Sequence, residues 1–394
     1  MKITKLKDIA RIVSGSTAPK ENLFNRQVGL PFIRAGNLES LCNGYNLNKL
    51  PKIDKNNPDI KKQVRVPKDT IIFAKSGMSC MKDRVYRTTE DAYIVSHLAG
   101  VICNEDIIPS YLKYYFNIYK PSRLVVDESY PSIRLSDISN IEISLPNLKI
   151  QEKIANTLDK AQELINKRKE QIEALDELVK SRFIEMFGDP INNTKKFDMK
   201  KIKEISIYLK RGVSPKYVEQ SNIKVINQKC IYWRNLKVEN CKYYDENLKE
   251  KIEDIFLKQN DILINSTGTG TLGRCVKLNK IDNSEYIADS HVTVLRSISN
   301  NLNSDYFAAL FEFTNIQDTI YRKCVNGSTN QIELSVSKLG EYLIMVPPIE
   351  FQNQFSEFVK QVDKLKLKIE TNLKELEDNF NSLMQKAFKG ELFN

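Results

Sequence analysis

The chain lacks any cysteine pairing pattern, any long apolar run, and much glycine or proline. Its seven cysteines (Cys42, Cys80, Cys103, Cys230, Cys241, Cys275 and Cys324) are odd in number and scattered, with no C-x-x-C spacing. This argues against a disulfide framework or a zinc site and predicts reduced, mostly buried thiols. No segment approaches the roughly 18 uncharged apolar residues that a membrane span needs. MKITKLKDIARIVSG has no apolar signal-peptide core, so a cytoplasmic protein is expected. With only 14 Gly and 13 Pro in 394 residues, collagen-like and low-complexity classes are excluded. Catalytic signatures are missing too. There is no amino-methyltransferase tetrapeptide of the N-P-P-Y kind, no G-x-x-x-x-G-K-[ST] phosphate loop, and Pro58-Asp59 lacks the acidic-x-Lys partner of a nuclease. A non-catalytic chain is expected, with no metal or cofactor site of its own.

What is present is the composition of a soluble globular protein, 41% hydrophobic and 28% charged, long enough for two or more cores. Sixty Lys and Arg against fifty Asp and Glu give a net charge of +10. That balance favours a polyanionic partner, although charge alone does not identify nucleic acid.

The chain also repeats itself in order, at an offset of about 190 to 201 residues. KLKDIARI at Lys5 matches KIKEISIY at Lys201, SGSTAPK at Ser14 matches KRGVSPK at Lys210, and DTIIFAKSG at Asp69 matches DILINSTG at Asp261. The only two histidines fall in register, Ser96-His97 with Ser290-His291. PSYLKYYF at Pro109 resembles SDYFAALF at Ser304, and IRLS at Ile133 matches IELS at Ile332. Within each copy, short runs such as TIIFA, AYIVS, DILIN and HVTVL lie between Gly, Pro, Asn and Asp clusters and read as strands.

Each copy closes with a long helix. Apolar positions alternate in steps of four and three from Ile154 to Met186 and again from Phe355 to Ala387, interrupted only by Arg168, Arg182 and Lys366. Sustained over about four heptads, this spacing predicts coiled-coil packing. Pro146 and Pro347-Pro348 mark the helix starts, and Gly188 and Gly390 the ends. The boundaries drawn are 1–147, a first helix 148–188, 189–348, and a second helix 349–390. The expected fold class is α+β, two similar β-rich domains separated by an antiparallel helix pair with a pseudo-two-fold internal repeat. The alternative is that each helix packs on a second copy of the chain. A helix of roughly 37 residues spans about 55 Å, or about one and a half turns of B-DNA.

These residues resemble the specificity subunits of type I restriction-modification enzymes. The resemblance rests on the duplicated layout, on LPNLKIQEKIANTLDKAQELI and VPPIEFQNQFSEFVKQVDKL opening the helices, and on RFIEMFGDP and QKAFKGELF closing them. It implies that each β-rich module is a target-recognition domain reading one half of a bipartite, asymmetric site in double-stranded DNA. It implies that the helices are spacers and a docking surface for methyltransferase subunits, expected as two copies, with restriction and translocase subunits in the full complex. S-adenosylmethionine is expected in the methyltransferase and not in this chain. The competing reading is a coiled-coil scaffold whose β domains bind proteins.

Loops rich in Arg, Lys, Asn, Gln and hydroxyls are the candidate DNA contacts, because these side chains bond base edges and phosphates. In the first module they are Lys75, Ser76, Lys82, Arg84, Tyr130, Ser132 and Arg134. In the second they are Lys229, Arg234, Asn265, Ser266, Thr267, Arg274, Ser328, Asn330 and Gln331. Three features are weighed against their bland readings. GTGTLG at Gly268 has the G-x-G-x-x-G form, but it leads from one strand-like run into another and reads as a turn. The Ser-His pairs do not read as a nucleophile and base, since neighbours on a strand face opposite ways, and are read as core or loop histidines. Trp233 reads as a packing anchor.

Overall fold

The computed structural model describes every residue except 1, 26, 55–59, 234, 269, 280–283, 299–300, 314–315, 328–331 and 394. Pro58-Asp59 therefore lies outside the described residues. The chain folds as two compact units, Met1–Lys169 with Thr371–Asn394, and Glu170–Glu370. This division differs from boundaries drawn at the helix ends. The long helices, Leu148–Phe187 and Ile349–Phe388, are 40 residues each, and each contributes one half to each unit. Their apolar seams are too wide to leave in water, so each half packs into a globular core.

The helix ends follow the local chemistry. Asn147 Oδ1 accepts the Ile150 N–H at 3.0 Å, capping the first helix. Gly188 and Gly390 terminate the helices with φ of +71° and +79°, a left-handed conformation in which a Cβ is strained. All twenty seam positions from Ile154 to Met186 and from Phe355 to Ala387, Arg168, Arg182 and Lys366 included, are buried or half-buried.

In the first unit a four-stranded sheet runs in the order Ala10–Ser14, Leu98–Cys103, Ile71–Ala74, Val85–Arg87. A five-stranded sheet runs in the order Phe24–Asn25, Lys52–Ile53, Leu30–Ile33, Ala92–Ile94, Arg65–Val66. Its Leu30–Ile33 and Ala92–Ile94 strands are parallel. The core gathers Phe32, Phe73 and Phe116 with Ile154, Leu158 and Ile165 of the first long helix and Phe380, Met384 and Ala387 of the second. Every residue of Ile71–Ala74 is buried, which is why TIIFA reads as a continuous apolar run and not an alternating one.

The second unit repeats this plan. Its first four-stranded sheet runs Ser206–Arg211, Val292–Ser297, Ile262–Asn265, Cys275–Lys277. The other runs Tyr217–Val218, Lys242–Tyr244, Ile223–Ile226, Glu285–Ala288, again with one parallel pair. Phe183 and Phe187 of the first long helix, Phe355 of the second, and Tyr306 form a buried aromatic cluster with ring centroids 4.8 to 5.9 Å apart.

Two details recur where the sheets meet the helices. Gln151 Oε1 accepts the Ile108 N–H at 2.9 Å while its amide donates to Asp106 O and Pro146 O. Gln352 does the same with Asn303 N, Asn301 O and Pro347 O. Gly15 and Gly212 sit where the two sheets of a unit approach. A Cβ there would lie 2.2 Å from Val95 O and 2.1 Å from Ala288 O, so only glycine fits.

The cysteines are free thiols, with Cys80, Cys230, Cys275 and Cys324 buried and Cys42 exposed. Among the described residues no helix is long and apolar enough to cross a membrane.

Candidate nucleic-acid interface

The structure assembles the same small constellation once in each unit, and a histidine neither candidate group contains is at its centre. Ser96-His97 and Ser290-His291 are not on strands. They occupy the middle of β-turns closed by Leu98 N to Val95 O at 2.9 Å and Val292 N to Asp289 O at 3.0 Å. Each turn joins a strand of one sheet to a strand of the other. In that position the imidazole is exposed and meets a hydroxyl from a different chain segment.

In the first unit Ser76 Oγ lies 2.7 Å from His97 Nδ1. Lys75 N donates to His97 O at 2.8 Å, and Ile133 N donates to Lys75 O at 2.7 Å. Ser76 also forms an antiparallel bridge with Ser132. The fold thus brings Lys75, Ser76 and Ser132 together, although Ser132 is more than fifty residues along the chain. Exposed Tyr130 and Arg134 flank Ser132 on the same loop. Lys82 is exposed at the end of the short helix Met78–Lys82. Arg84 is bound to Glu39 at 2.7 Å, so its guanidinium is already engaged within the protein.

In the second unit Thr267 Oγ1 lies 3.1 Å from His291 Nδ1 and donates to Gln228 Oε1 at 2.9 Å. Ser266 N donates to His291 O at 2.8 Å, and Leu334 N donates to Ser266 O at 2.8 Å. Thr267 bridges Glu333 as Ser76 bridges Ser132. Glu333 is held by Arg211 at 3.0 Å. His291 N donates to Asp289 Oδ1 at 2.9 Å, and burial pushes the Asp289 carboxyl above its ordinary pKa in spite of that bond.

Two candidates are corrected by burial. Asn265 and Ser266 are both fully buried. Ser266 Oγ bonds Thr293 Oγ1 at 2.6 Å, and Asn265 donates to Gln228 O at 3.3 Å. Asn265 ends a central strand whose residues are all buried and Ser266 follows it, so both sit inside the fold and not on an exposed loop. Lys229 is exposed and Arg274 half-buried. Arg234, Ser328, Asn330 and Gln331 lie outside the described residues.

The glycine-rich segment turns between Ile262–Asn265 and Cys275–Lys277 with φ positive at Gly268, Gly270 and Gly273. It opens no helix and lacks the dinucleotide-fold context. Trp233 is half-buried and packs against the core of the second unit. Among the described residues no three His, Cys, Asp or Glu side chains gather as metal ligands. Among the described residues no carboxylate bonds the outer nitrogen of either histidine, as the third member of a triad would.

His97, His291 and Gln228 are not among the residues that the loop composition singled out, yet the fold places them in this constellation. The signal for the histidines was present in the register of the repeat. Gln228 carried none, because only the fold brings it to Thr267.

A family model described as the type I restriction modification DNA specificity domain matches residues 1–174 and again residues 194–378. The chain belongs to this family. The type I restriction enzyme MjaIX specificity subunit of Methanocaldococcus jannaschii is 28% identical over 190 residues, 45% of this chain and 41% of that protein. The matched segment thus spans less than half of that relative's length. The EcoKI specificity subunit of Escherichia coli is 22% identical over an alignment covering 99% of this chain and 89% of that subunit. Among solved structures, the type I restriction-modification S subunit from M. genitalium aligns over 98% of this chain and 96% of its own, at 15% identity and a TM-score of 0.59. A chain from a study of complex assembly and conformational transition in the type I R-M system aligns over 99% and 98%, at 15% identity and a TM-score of 0.55. At that identity the likeness concerns the fold alone, a two-domain architecture of mixed helix and sheet.

Proposed function

We propose that this chain is the DNA-specificity subunit of a type I restriction-modification system, each unit reading one half of a bipartite, asymmetric duplex site. The observation that carries the reading is the repetition itself. The family domain matches twice, at residues 1–174 and 194–378, and each copy repeats the sheet order and the exposed histidine turn. Two readers built alike but differing in their loops suit two different half-sites.

In this reading the chain recognises and does not catalyse. S-adenosylmethionine and methyl transfer belong to methyltransferase subunits, expected as two copies docked on the helices, and restriction subunits join the full complex. The long helices pair antiparallel as spacers. Support comes from ion pairs joining them inside each unit, Lys169 with Glu377 at 3.0 Å in the first and Lys366 with Asp176 at 2.7 Å in the second. The observed 40 residues correspond to about 60 Å per helix.

The deciding experiment maps methylated bases in cells carrying this chain with a partner methyltransferase. One asymmetric, gapped motif is expected, and an ungapped motif or none overturns the reading. Inserting seven residues after Gln162 lengthens the first helix by about 10 Å while keeping its seam. The gap is expected to widen with both half-sites unchanged. Purified chain with S-adenosylmethionine and DNA, but no other subunit, is expected to leave the DNA unmodified.

A further inference from the structure

An internal repeat serves as an alignment of two sequences folded to one plan, and it separates positions kept for packing from positions kept on the surface. Most positions held in common are interior: Gly15 and Gly212 at the sheet junction, Gln151 and Gln352 under the helix starts, Tyr111 and Tyr306 donating to Ser144 O and Met345 O. His97 and His291 differ in kind. They are the only two histidines of the chain, they hold equivalent turn positions, both are exposed, and packing explains neither. Each is held by a hydroxyl at the end of a neighbouring strand, Ser in one unit and Thr in the other. The hydroxyl is retained where the residue type is not, so the shared element is a hydrogen bond that orients an exposed ring.

The geometry of the second unit also sets which ring nitrogen carries the proton. Thr267 has one hydroxyl proton and donates it to Gln228 Oε1, so toward His291 its oxygen is an acceptor and Nδ1 is the donor. The neutral ring then offers the Nε2 lone pair. Among the described residues neither Nε2 has a hydrogen-bond partner. An acceptor at that point matches the exocyclic amino group that adenine or cytosine presents in the major groove. In the first unit the Lys75 backbone donates to His97 O and Ser132 bridges Ser76; in the second, the Arg274 carbonyl accepts from Asn265 N, next to Ser266, whose N–H donates to His291 O.

We propose that His97 and His291 are equivalent DNA-contacting residues, one for each half-site, each offering Nε2 from a ring oriented by the neighbouring hydroxyl. This rests on the DNA-specificity reading above.

The test uses the full chain with its methyltransferase subunit and duplexes carrying the mapped motif, altered in one half-site at a time. His97→Ala is expected to lower cognate affinity about tenfold and to weaken base discrimination in one half-site, and His291→Ala in the other. Ser76→Ala and Thr267→Ala, which free the rings without removing them, are expected to cause smaller losses in the same half-site as their histidine. Melting temperatures of the two histidine variants should stay at the wild-type value because both imidazoles are exposed. Wild-type affinity and discrimination in both histidine variants overturn the proposal, as does equal weakening of both half-sites by either one. If the wild-type complex itself fails to select a gapped motif, the specificity reading falls first.

Discussion

The two units share a frame and differ in how the helices are fastened to it. In the first, Tyr111 and Tyr115 lie against Phe388 and Tyr114 against Phe380, and a network of polar groups surrounds these rings. Tyr114 Oη and Ser110 Oγ donate to the two Asp159 oxygens at 2.6 and 3.0 Å, and Arg87 is tied to Asp69 and to Ser110. In the second, the same interface is filled with Phe183, Phe187, Tyr306 and Phe355, all fully buried, and its polar tie is reduced to Lys277, Asp305 and Ser356. A dry aromatic contact depends on shape and volume, whereas a polar one depends on leaving no buried group unsatisfied. What both copies keep is the backbone geometry of the sheet junction, the glutamine under each helix, and the oriented imidazole. The chemistry between those points has changed freely, which tells which constraints act on the module as a module.

The contrast breaks most sharply at Phe183. Phe183→Ala empties the centre of the aromatic cluster and is expected to cost about 3–5 kcal/mol, with hydrogen exchange rising in Glu170–Glu370 and little change in the first unit. Equal protection loss in both units would show that their cores are not energetically separate.

A smaller and symmetrical effect is expected from the glutamines. Gln151→Ala and Gln352→Ala each leave a buried N–H and two carbonyls without partners, at about 1–3 kcal/mol. Urea titration of the two variants should give similar losses; a marked difference would mean that one junction is less closely shared than its hydrogen bonds indicate.

Lys366 interrupts the apolar seam and contacts both Asp176 oxygens at 2.7 Å, but Asp176 is substantially exposed. Lys366→Met is expected to stay within about 1 kcal/mol of the parent chain in denaturant titration. The pair then serves register more than stability.

The smallest effect belongs to Glu341, which the second unit alone possesses as a bridge to Lys201, at 2.8 Å, and to Lys203. Hydrogen bonds from Lys201 and Lys203 hold its carboxyl down to about 2, from an ordinary 4.5. A carboxyl depressed in the folded state stabilises above its unfolded pKa, and that contribution fades as pH falls from about 4.5 toward 2. Glu341→Gln should lower the stability of the second unit slightly at neutral pH, leave it unchanged below about pH 2, and so flatten this part of its acid-unfolding curve.

Much of this architecture was written locally. Heptad spacing, proline before each long helix and glycine after it placed Leu148–Phe187 and Ile349–Phe388 within a few residues, because helix periodicity and capping act over a few neighbours. The repeat was visible for the same reason, since strand cores such as DTIIFA and DILIN keep their pattern when loops do not. For the candidate residues, sequence pattern gave loop regions and the structure gave their surroundings. Lys75, Ser76 and Ser132 were rightly grouped as loop residues. Asn265 and Ser266 were drawn in by composition, yet both are fully buried. Sequence pattern excluded Ser96 as a partner of His97 but did not point to Ser76, twenty-one residues away, which the fold supplies.

The sequence by itself determined the doubled plan, the two long helices with their seams, and the basic balance that favours a polyanion, all properties of short-range pattern and composition. Only the tertiary structure decided that each unit takes half of each helix, that the first fastening carries the larger polar network, and that a hydroxyl orients each exposed imidazole. Those features depend on which strands pair and which faces are covered, and hydrogen-bond geometry between segments far apart in the chain exists only once the sheets have formed.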